Sequence, residues 1–419
     1  MPQDAGRAPW RYPAVARQRG QKVIPLHPSN CTVRNSPAHW DIFCSVIDNY
    51  GDIGVTWRLS RQLAVEYGIA VRLWVDDLQA FRNIRPEIDT TAATQHFNAV
   101  EIRHWTTPLP QIEPGDVVIE ALACNLPDAF VQAMLEKSPQ PVWINLEYLS
   151  AENWVAGVHG LPSPHPRLAL TKYFFMPGYV PETGGLTREQ GLYHSRESFQ
   201  RDRHAQSRFW AGLGLPDKDP RHLRVSLFSY ECASLPGLLT TCAQGTQAVD
   251  LMVPLGKAIP QITDWFSNRG IRINAPLIHG NLQVHLLPML PQDDYDRLLW
   301  ACDFNFVRGE DSFVRAQFAA RPLIWQAYRQ AEAAHLDKLE AFLDLYCADL
   351  AGADADLLRD TWRAWNKEED MTPYWPALLA AMPELARHAR AWATKLAKQT
   401  DLSANLVKFI NKLLESRAF

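Results

Sequence analysis

Short apolar runs alternate with amphipathic helical segments through most of this chain, and that order restricts the fold more than any other feature. Strands separated by helices return to the same edge of a sheet only through crossovers, so the sheets are expected to be parallel and covered on both faces. The first series places strands at 41–47, 71–75, 117–119 and 141–145, with a helix over 55–66 that ends at Tyr67-Gly68, where glycine can take a left-handed cap. A Pro- and Gly-rich stretch over 161–185, containing P-S-P-H-P and E-T-G-G, marks the expected domain boundary. A second series follows, with strands at 224–229, 249–253, 283–287, 302–307 and 323–326 and short helices at 293–300 and 313–320. Beyond about residue 331 the pattern is helical, and 403–415 is amphipathic. With 419 residues the chain exceeds what one core usually fills, which predicts an α/β protein of two domains.

The first strand-to-helix turn reads I-D-N-Y-G-D-I-G at 47–54 and sets Asp48 and Asp52 around a glycine. A dinucleotide-binding turn is glycine-rich because backbone N–H groups at a helix start must meet a pyrophosphate. Two carboxylates would repel that anion. The turn is therefore read as a place for a cationic or proton-donating group, with Gly51 and Gly54 letting an acceptor backbone approach, and any anionic co-substrate is expected elsewhere.

Charge and cysteine usage exclude several classes. A formal net charge of -4 argues against nucleic-acid binding through phosphate contacts. The seven cysteines (31, 44, 124, 232, 242, 302, 347) form no C-x-x-C pair, so neither a disulfide framework nor a zinc site is expected, and reduced thiols in a cytoplasm fit best. No uninterrupted apolar stretch of membrane-spanning length occurs and the start lacks the apolar run of a signal peptide, so no membrane role is expected. Residues 1–36 are polar, rich in Pro and Arg, and are expected to be a disordered extension. Asp293, Asp294 and Asp296 in D-D-Y-D superficially suggest a metal-binding D-x-D, but acids at a helix start explain them better, so no metal is expected. The 13 histidines show no metal-ligand spacing.

The second strong signal runs over 287–325: a strand ending L-P-x-L-P-Q, a helix, a strand, then R-G-E-D-S-F-V-R-A-Q. This order resembles the nucleotide-sugar half of GT-B glycosyltransferases, in which an acidic-Ser turn opens a helix whose N-terminal amides face a diphosphate. The residues support the same chemistry by themselves. Ser312, Phe313 and Val314 would offer N–H groups at a positive helix end, and Arg308 a forked permanent cation for phosphate. Glu310 and Asp311 could accept hydrogen bonds from sugar hydroxyls, although Asp311 or Ser312 could equally be an ordinary helix cap. Phe228, Tyr230 and Tyr295 are placed for stacking on a base, Gln292 could bond the amide edge of a pyrimidine, and Met289 could pack on the ring. Core packing is the competing reading for Phe228.

Together, I-D-N-Y-G-D-I-G, I-N-L-E-Y-L-S-A-E at 144–152, T-G-G-L-T-R-E at 183–189 and R-G-E-D-S-F-V-R-A-Q at 308–317 resemble the EarP family, the protein-arginine rhamnosyltransferases of bacterial elongation factor P. The resemblance runs from about residue 40 to the C-terminus. It implies an inverting GT-B enzyme that moves rhamnose from dTDP-β-L-rhamnose, a co-substrate with no further cofactor, to one arginine of elongation factor P, enabling that factor to relieve ribosome stalling. It implies catalytic roles for Asp48, Asp52 and Glu310, and donor contacts from Phe228, Tyr230, Gln292, Tyr295, Arg308, Asp311 and Ser312. Met289 stands where relatives are expected to carry an aromatic. The implied organisation is an N-terminal Rossmann-like domain over 37–185, a donor domain over 186–398, and a terminal helix over 399–419 crossing back to the first domain. A GT-B enzyme acting on a small molecule or glycan, a nucleotide-sugar epimerase, and a non-catalytic binder of elongation factor P are the competing classes.

Arginine chemistry restricts what Asp52 can do. Full transfer of a guanidinium proton to a normal carboxylate would cost about 8 to 9 pKa units, roughly 12 kcal/mol. Asp52 is therefore expected to hold and orient the guanidinium and to take the proton only as the new C–N bond forms, with Asp48 orienting it from another side. Glu310 would position the sugar or the acceptor. Glu147 and Tyr148, at a strand end, are candidates for contacting the acceptor protein.

Overall fold

The computed structural model describes residues 38–47, 50–273, 276–350 and 352–416, so the expectations for the extension over 1–36 and for Asp48 lie outside the described residues. Eight strands form the first sheet: β1 (His39–Cys44), β2 (Ala70–Val75), β3 (Thr94–Phe97), β4 (Val100–His104), β5 (Val117–Ala121), β6 (Val142–Leu146), β7 (Pro162–Pro164) and β8 (Thr171–Phe175). Their order is β3-β4-β2-β1-β5-β6-β8-β7, with β3 and β7 antiparallel at the edges and every other pairing parallel. Ile42 of the central β1 lies level with Leu73 and Ile119, all fully buried. Asp41 is the exception in that run. It accepts bonds from the Arg72 guanidinium, the Trp74 indole at 2.9 Å and the Gly115 amide at 2.7 Å, which compensates the burial of its charge.

Helices α1 (Gly51–Tyr67), α2 (Leu78–Ile84), α3 (Asp128–Glu136) and α4 (Trp154–Val158) connect these strands. The first helix begins four residues before the sequence expectation, which moves Asp52 and both glycines out of the turn and into the helix. Asp52 sits in the first helical turn, where the helix dipole favours a negative charge. Gly68, at φ +65°, closes the other end as expected. The Pro-rich stretch read as a boundary contains β7 and β8, so the first sheet extends to Phe175. An edge strand tolerates the missing N–H groups of P-S-P, which is why periodicity did not disclose it.

The second sheet holds β9 (Leu223–Leu227), β10 (Val249–Pro254), β11 (Leu277–His279), β12 (Leu282–Leu287), β13 (Phe304–Arg308) and β14 (Leu323–Gln326), in the order β11-β12-β10-β9-β13-β14. Only β11 is antiparallel. Around it lie α5 (Leu192–Arg201), α6 (Arg203–Gly212), α7 (Leu235–Gln244), α8 (Ala258–Ser267), α9 (Gln292–Ala301), α10 (Asp311–Phe318), α11 (Ala334–Tyr346), α12 (Gly352–Lys367) and α13 (Tyr374–Ala397). The last helix, α14 (Leu402–Ser416), inserts Leu402, Leu406 and Ile410 into the core of the first sheet.

The chain thus passes between the two sheets twice, and the passages are bonded to each other. The Leu402 amide donates to the Leu186 carbonyl (2.9 Å), Arg188 to the Gln399 carbonyl (2.9 Å), and Asn405 to the Gly184 carbonyl (3.0 Å). The T-G-G-L-T-R-E motif is therefore the seam between crossings.

Candidate active site

The carboxyl ends of both sheets face one another, where open α/β folds place ligands. On the second domain, β13 ends at Arg308 and α10 starts at Asp311. Gly309 turns the chain between them at φ +61°, a conformation that a side chain would strain. Arg308 is buried and its guanidinium carbon lies 4.6 Å from the ring centres of both Phe228 and Tyr230 and 5.9 Å from that of Tyr50. Phe228 meets Tyr295 edge-on at 5.6 Å. Seven of the eight expected donor residues (Phe228, Met289, Gln292, Tyr295, Arg308, Asp311 and Ser312) line one cavity, together with Tyr50 and Ile84, which the sequence reading did not single out. Tyr230 stands beside it, under Arg308 and edge-on to Tyr328 at 5.6 Å. Phe228 thus both packs and faces the cavity.

Neither Asp311 nor Ser312 caps the helix. The N-cap position falls on Glu310, whose side chain turns away to accept the Leu149 amide at 2.9 Å. The Ser312 hydroxyl donates to the Arg308 carbonyl. Both oxygens of Asp311 are engaged, Oδ1 by Arg58 Nε at 2.7 Å and Oδ2 by Gln292 Nε2 at 3.0 Å. Gln292 Nε2 also donates to the Gly54 carbonyl (3.0 Å), and its Oε1 is buried without a hydrogen-bond partner among the described residues. A Cβ on Gly54 would stand 3.2 Å from both Asp311 Oδ2 and Gln292 Nε2. The close approach that this glycine permits is therefore to the second domain, not to an acceptor backbone.

A second cavity, about 230 Å³, lies on the other side of this junction. Asp52, Tyr148, Glu310, Gln330, His335 and Lys338 supply its polar side chains, with Phe313, Trp325 and Tyr328 as an aromatic wall. Gly51, Gly309 and Glu310 line both cavities, so the two share a wall. Asp52 is buried; its Oδ2 accepts the Ile47 amide at 2.8 Å and its Oδ1 faces the Tyr148 hydroxyl at 3.1 Å. The same hydroxyl lies 3.0 Å from the Leu122 carbonyl. Leu122 and the following Ala123 both hold left-handed backbone (φ +56° and +61°), which costs about 1–2 kcal/mol per residue. Glu147 instead accepts Asn145 at 2.6 Å.

Burial pushes the Glu310 carboxyl up to about 7 although part of it opens onto the cavity. The Leu149 amide and Lys338 oppose that rise, and the neighbouring charges of Asp52 and Asp311 add to it. At neutral pH this acid is poised between its two forms. The sequence offered no hint of that, because the lysine and the amide come from α11 and from the strand end after β6.

Behind the cavities, arginines of the first domain reach acids of the second. Arg58, fully buried in α1, makes a forked contact with Asp296 (3.1 and 3.0 Å) and also meets Asp311 and Glu189. Arg315 closes on the same Asp296 and Glu189, while Arg85 forks onto Asp293 (2.9 and 3.0 Å) and Arg61 bridges Asp293 and Glu189. Burial alone would raise the Glu189 carboxyl, but Arg315, Arg58 and Arg61 hold it well below the usual range. Asp293 and Asp296, read from sequence as helix-start acids, are thus partners of arginines across the domain interface. Only Asp293 and Asp294 occupy the first turn of α9. Among the described residues no cluster of His, Cys, Asp and Glu is arranged to hold a metal ion, and no helix is long and apolar enough to cross a membrane. The six described cysteines are buried and unbridged.

Residues 40–411 match the family described as Elongation-Factor P (EF-P) rhamnosyltransferase EarP. The protein-arginine rhamnosyltransferase of Pseudomonas putida is 50% identical over 378 residues, covering 90% of this chain and 100% of that protein. Its counterpart from Shewanella oneidensis is 42% identical over 396 residues, covering 90% and 99%. A structure solved for the structural basis of EarP-mediated arginine glycosylation of translation elongation factor EF-P superposes with a TM-score of 0.64 at 38% identity, covering 90% of this chain and 99% of the other. A UDP-glucosyltransferase from Polygonum tinctorium, 10% identical with a TM-score of 0.50 over 91% of this chain and 98% of its own, shares the fold alone. With strand order, paired cavities and relatives in agreement, the chain belongs to the EarP family of protein-arginine rhamnosyltransferases and has the GT-B fold.

Proposed function

We propose that this chain transfers rhamnose from dTDP-β-L-rhamnose, with inversion, to one arginine side chain of translation elongation factor P in the cytoplasm. The observation that carries the reading is the wall shared by two cavities, one offering Arg308 and a helix start, the other Asp52 beside an aromatic wall. The diphosphate would lie against Arg308 and the first amides of α10, and thymine against the face that Phe228 and Tyr295 turn to the cavity. The unpartnered Gln292 Oε1 suits the imide N–H of thymine. Asp311, with both oxygens engaged, retains lone pairs for a ribose hydroxyl. Met289 would pack on the ring from the side of the first domain.

The acceptor guanidinium would enter the second cavity along the Trp325 and Tyr328 rings, a favourable surface for a cation. Asp52 holds it at the junction, assisted by Asp48. As the guanidinium nitrogen bonds to the anomeric carbon, the bond to the diphosphate oxygen breaks, its electron pair leaves with dTDP, and the nitrogen's proton passes to Asp52. Attack from the face opposite the diphosphate inverts the centre. Leaving-group charge is met by Arg308 and the helix start, so the reading needs neither metal nor cofactor. Glu310 in the shared wall would orient the guanidinium or the sugar.

The test is incubation of the full chain with dTDP-β-L-rhamnose and elongation factor P, followed by intact mass and anomeric analysis of the product. One deoxyhexose on one arginine with an α linkage is expected. Donor turnover with an unmodified factor would instead favour a small-molecule acceptor. Partner binding without turnover would favour a binding module.

A further inference from the structure

Tyr148 presents one hydroxyl proton to two acceptors. Its oxygen is 3.1 Å from Asp52 Oδ1 and 3.0 Å from the Leu122 carbonyl, yet a phenol donates only one hydrogen bond at a time. The second acceptor is held there by two consecutive left-handed residues, Leu122 and Ala123, neither of which is glycine. Strain of this kind persists only where the surrounding structure imposes it, and it concentrates at functional sites. A carboxylate outcompetes a carbonyl for the proton, because a hydrogen bond to an ionised acceptor is roughly twice as strong. Once Asp52 is neutral that advantage disappears.

We propose that Tyr148 is a positioning residue for the transfer step, a hydroxyl rotor that donates to Asp52 while it is ionised and turns to the Leu122 carbonyl when Asp52 has taken the guanidinium proton. The inference rests on the reading of Asp52 as proton acceptor. The sequence is balanced without any further reactant. The guanidinium N–H breaks, Asp52 gains an O–H, and the Tyr148 proton stays on its own oxygen throughout. In the starting state the hydroxyl fixes Oδ1 while the Ile47 amide fixes Oδ2, so the carboxylate cannot swing away from the cavity. After transfer the hydroxyl is not left unsatisfied, and Asp52 is free to lose its proton for the next cycle. Burial beside Asp52 keeps the phenol itself protonated, so it acts by donating and not as a base.

The charged and titratable groups facing Tyr148 and Asp52 are Cys44 from β1, Glu310 from the turn before α10, and Lys338 from α11, whose Nζ lies 5.8 Å from the Tyr148 ring. His335 lines the same cavity. Tyr148→Phe keeps the ring and deletes only the rotor. It is expected to lower kcat roughly 10- to 100-fold with both KM values within about twofold, and to move the acidic limb of the kcat profile up by about one pH unit, since a carboxylate that loses a donor is easier to protonate. A loss confined to the acceptor KM would mean that Tyr148 merely contacts the acceptor protein, and overturns the proposal. Unchanged kcat and limb overturn it as well. Asp52→Asn run in parallel separates the two levels. If Asp52→Asn is inactive and Tyr148→Phe is not impaired, only the rotor fails; if Asp52→Asn transfers normally, the proton-acceptor reading fails and the rotor with it.

Discussion

The two cavities differ in how they counter charge. The cavity at the start of α10 sets Asp311 and the shared Glu310 beside groups that cannot change state at ordinary pH, the Arg308 guanidinium and backbone amides at a helix start. The acceptor side relies on carboxylates whose state depends on their surroundings, and one of them, Glu310, is raised to about 7. A fixed electrostatic surface suits a leaving group that only accumulates negative charge. A titratable one suits a nucleophile that must be held as a cation and then relieved of a proton. The division of labour in this fold is therefore one of protonation as much as of substrate.

The contrast is broken most severely at Asp52. Asp52→Asn is predicted to reduce kcat by about 10²- to 10⁴-fold while dTDP-rhamnose still binds, read by steady-state kinetics beside donor titration. Weakened donor binding would show that the halves are not separable. Next comes the contact that joins them. Arg58→Ala leaves Asp296 and Asp311 short of a buried partner and should cost about 3–5 kcal/mol in denaturant unfolding, far more than the partly exposed Arg61→Ala. Equal effects would make the cluster a surface feature. Arg308→Ala should lower kcat/KM for the donor by about 10²- to 10³-fold with acceptor affinity unchanged in a binding titration.

Smaller effects are expected from protons. A cation bound beside Glu310 favours its ionised form, so acceptor binding near pH 7 should release about half a proton, measurable by calorimetry in buffers of different ionisation enthalpy and abolished in Glu310→Gln. No buffer dependence would place Glu310 on the sugar instead. Glu189 supplies the opposite sign. Its folded-state pKa is depressed, so the stability it contributes is present above about pH 4 and is lost as pH falls through the depressed value. Acid unfolding of Arg315→Met should begin at higher pH than that of the unaltered chain.

Much of this was legible in the sequence because it depends on local order. Buried strands read as apolar runs, the Gly68 cap was visible, and the Arg308-to-Ser312 segment announced a strand end followed by a helix start. What stayed hidden depends on distant partners. The start of α1 was misplaced because D-N-Y-G-D has turn composition, whereas a helix dipole and the Ile47 amide make Asp52 welcome in a first turn. Asp293 and Asp296 read as acids at a helix start because Arg58 and Arg85, their partners from the first domain, lie more than 200 positions away in α1 and after α2, and Arg315 reaches Asp296 only through the packing of α10 on α9. In the sequence, Tyr148 stands out only for its strand-end position. Its importance comes from a carbonyl placed by an unusual backbone at Leu122, and composition carries no trace of that.

The paired crossings have a mechanical consequence. Two passages lying side by side and bonded through Leu186, Arg188, Gln399 and Leu402 act as the two leaves of a door hinge. A hinge leaves one soft rotation and resists sliding. Any rotation about that hinge must also part the buried Arg58 from Asp296 and Asp311, so the crossings and the arginine cluster together hold the two sheets at one angle.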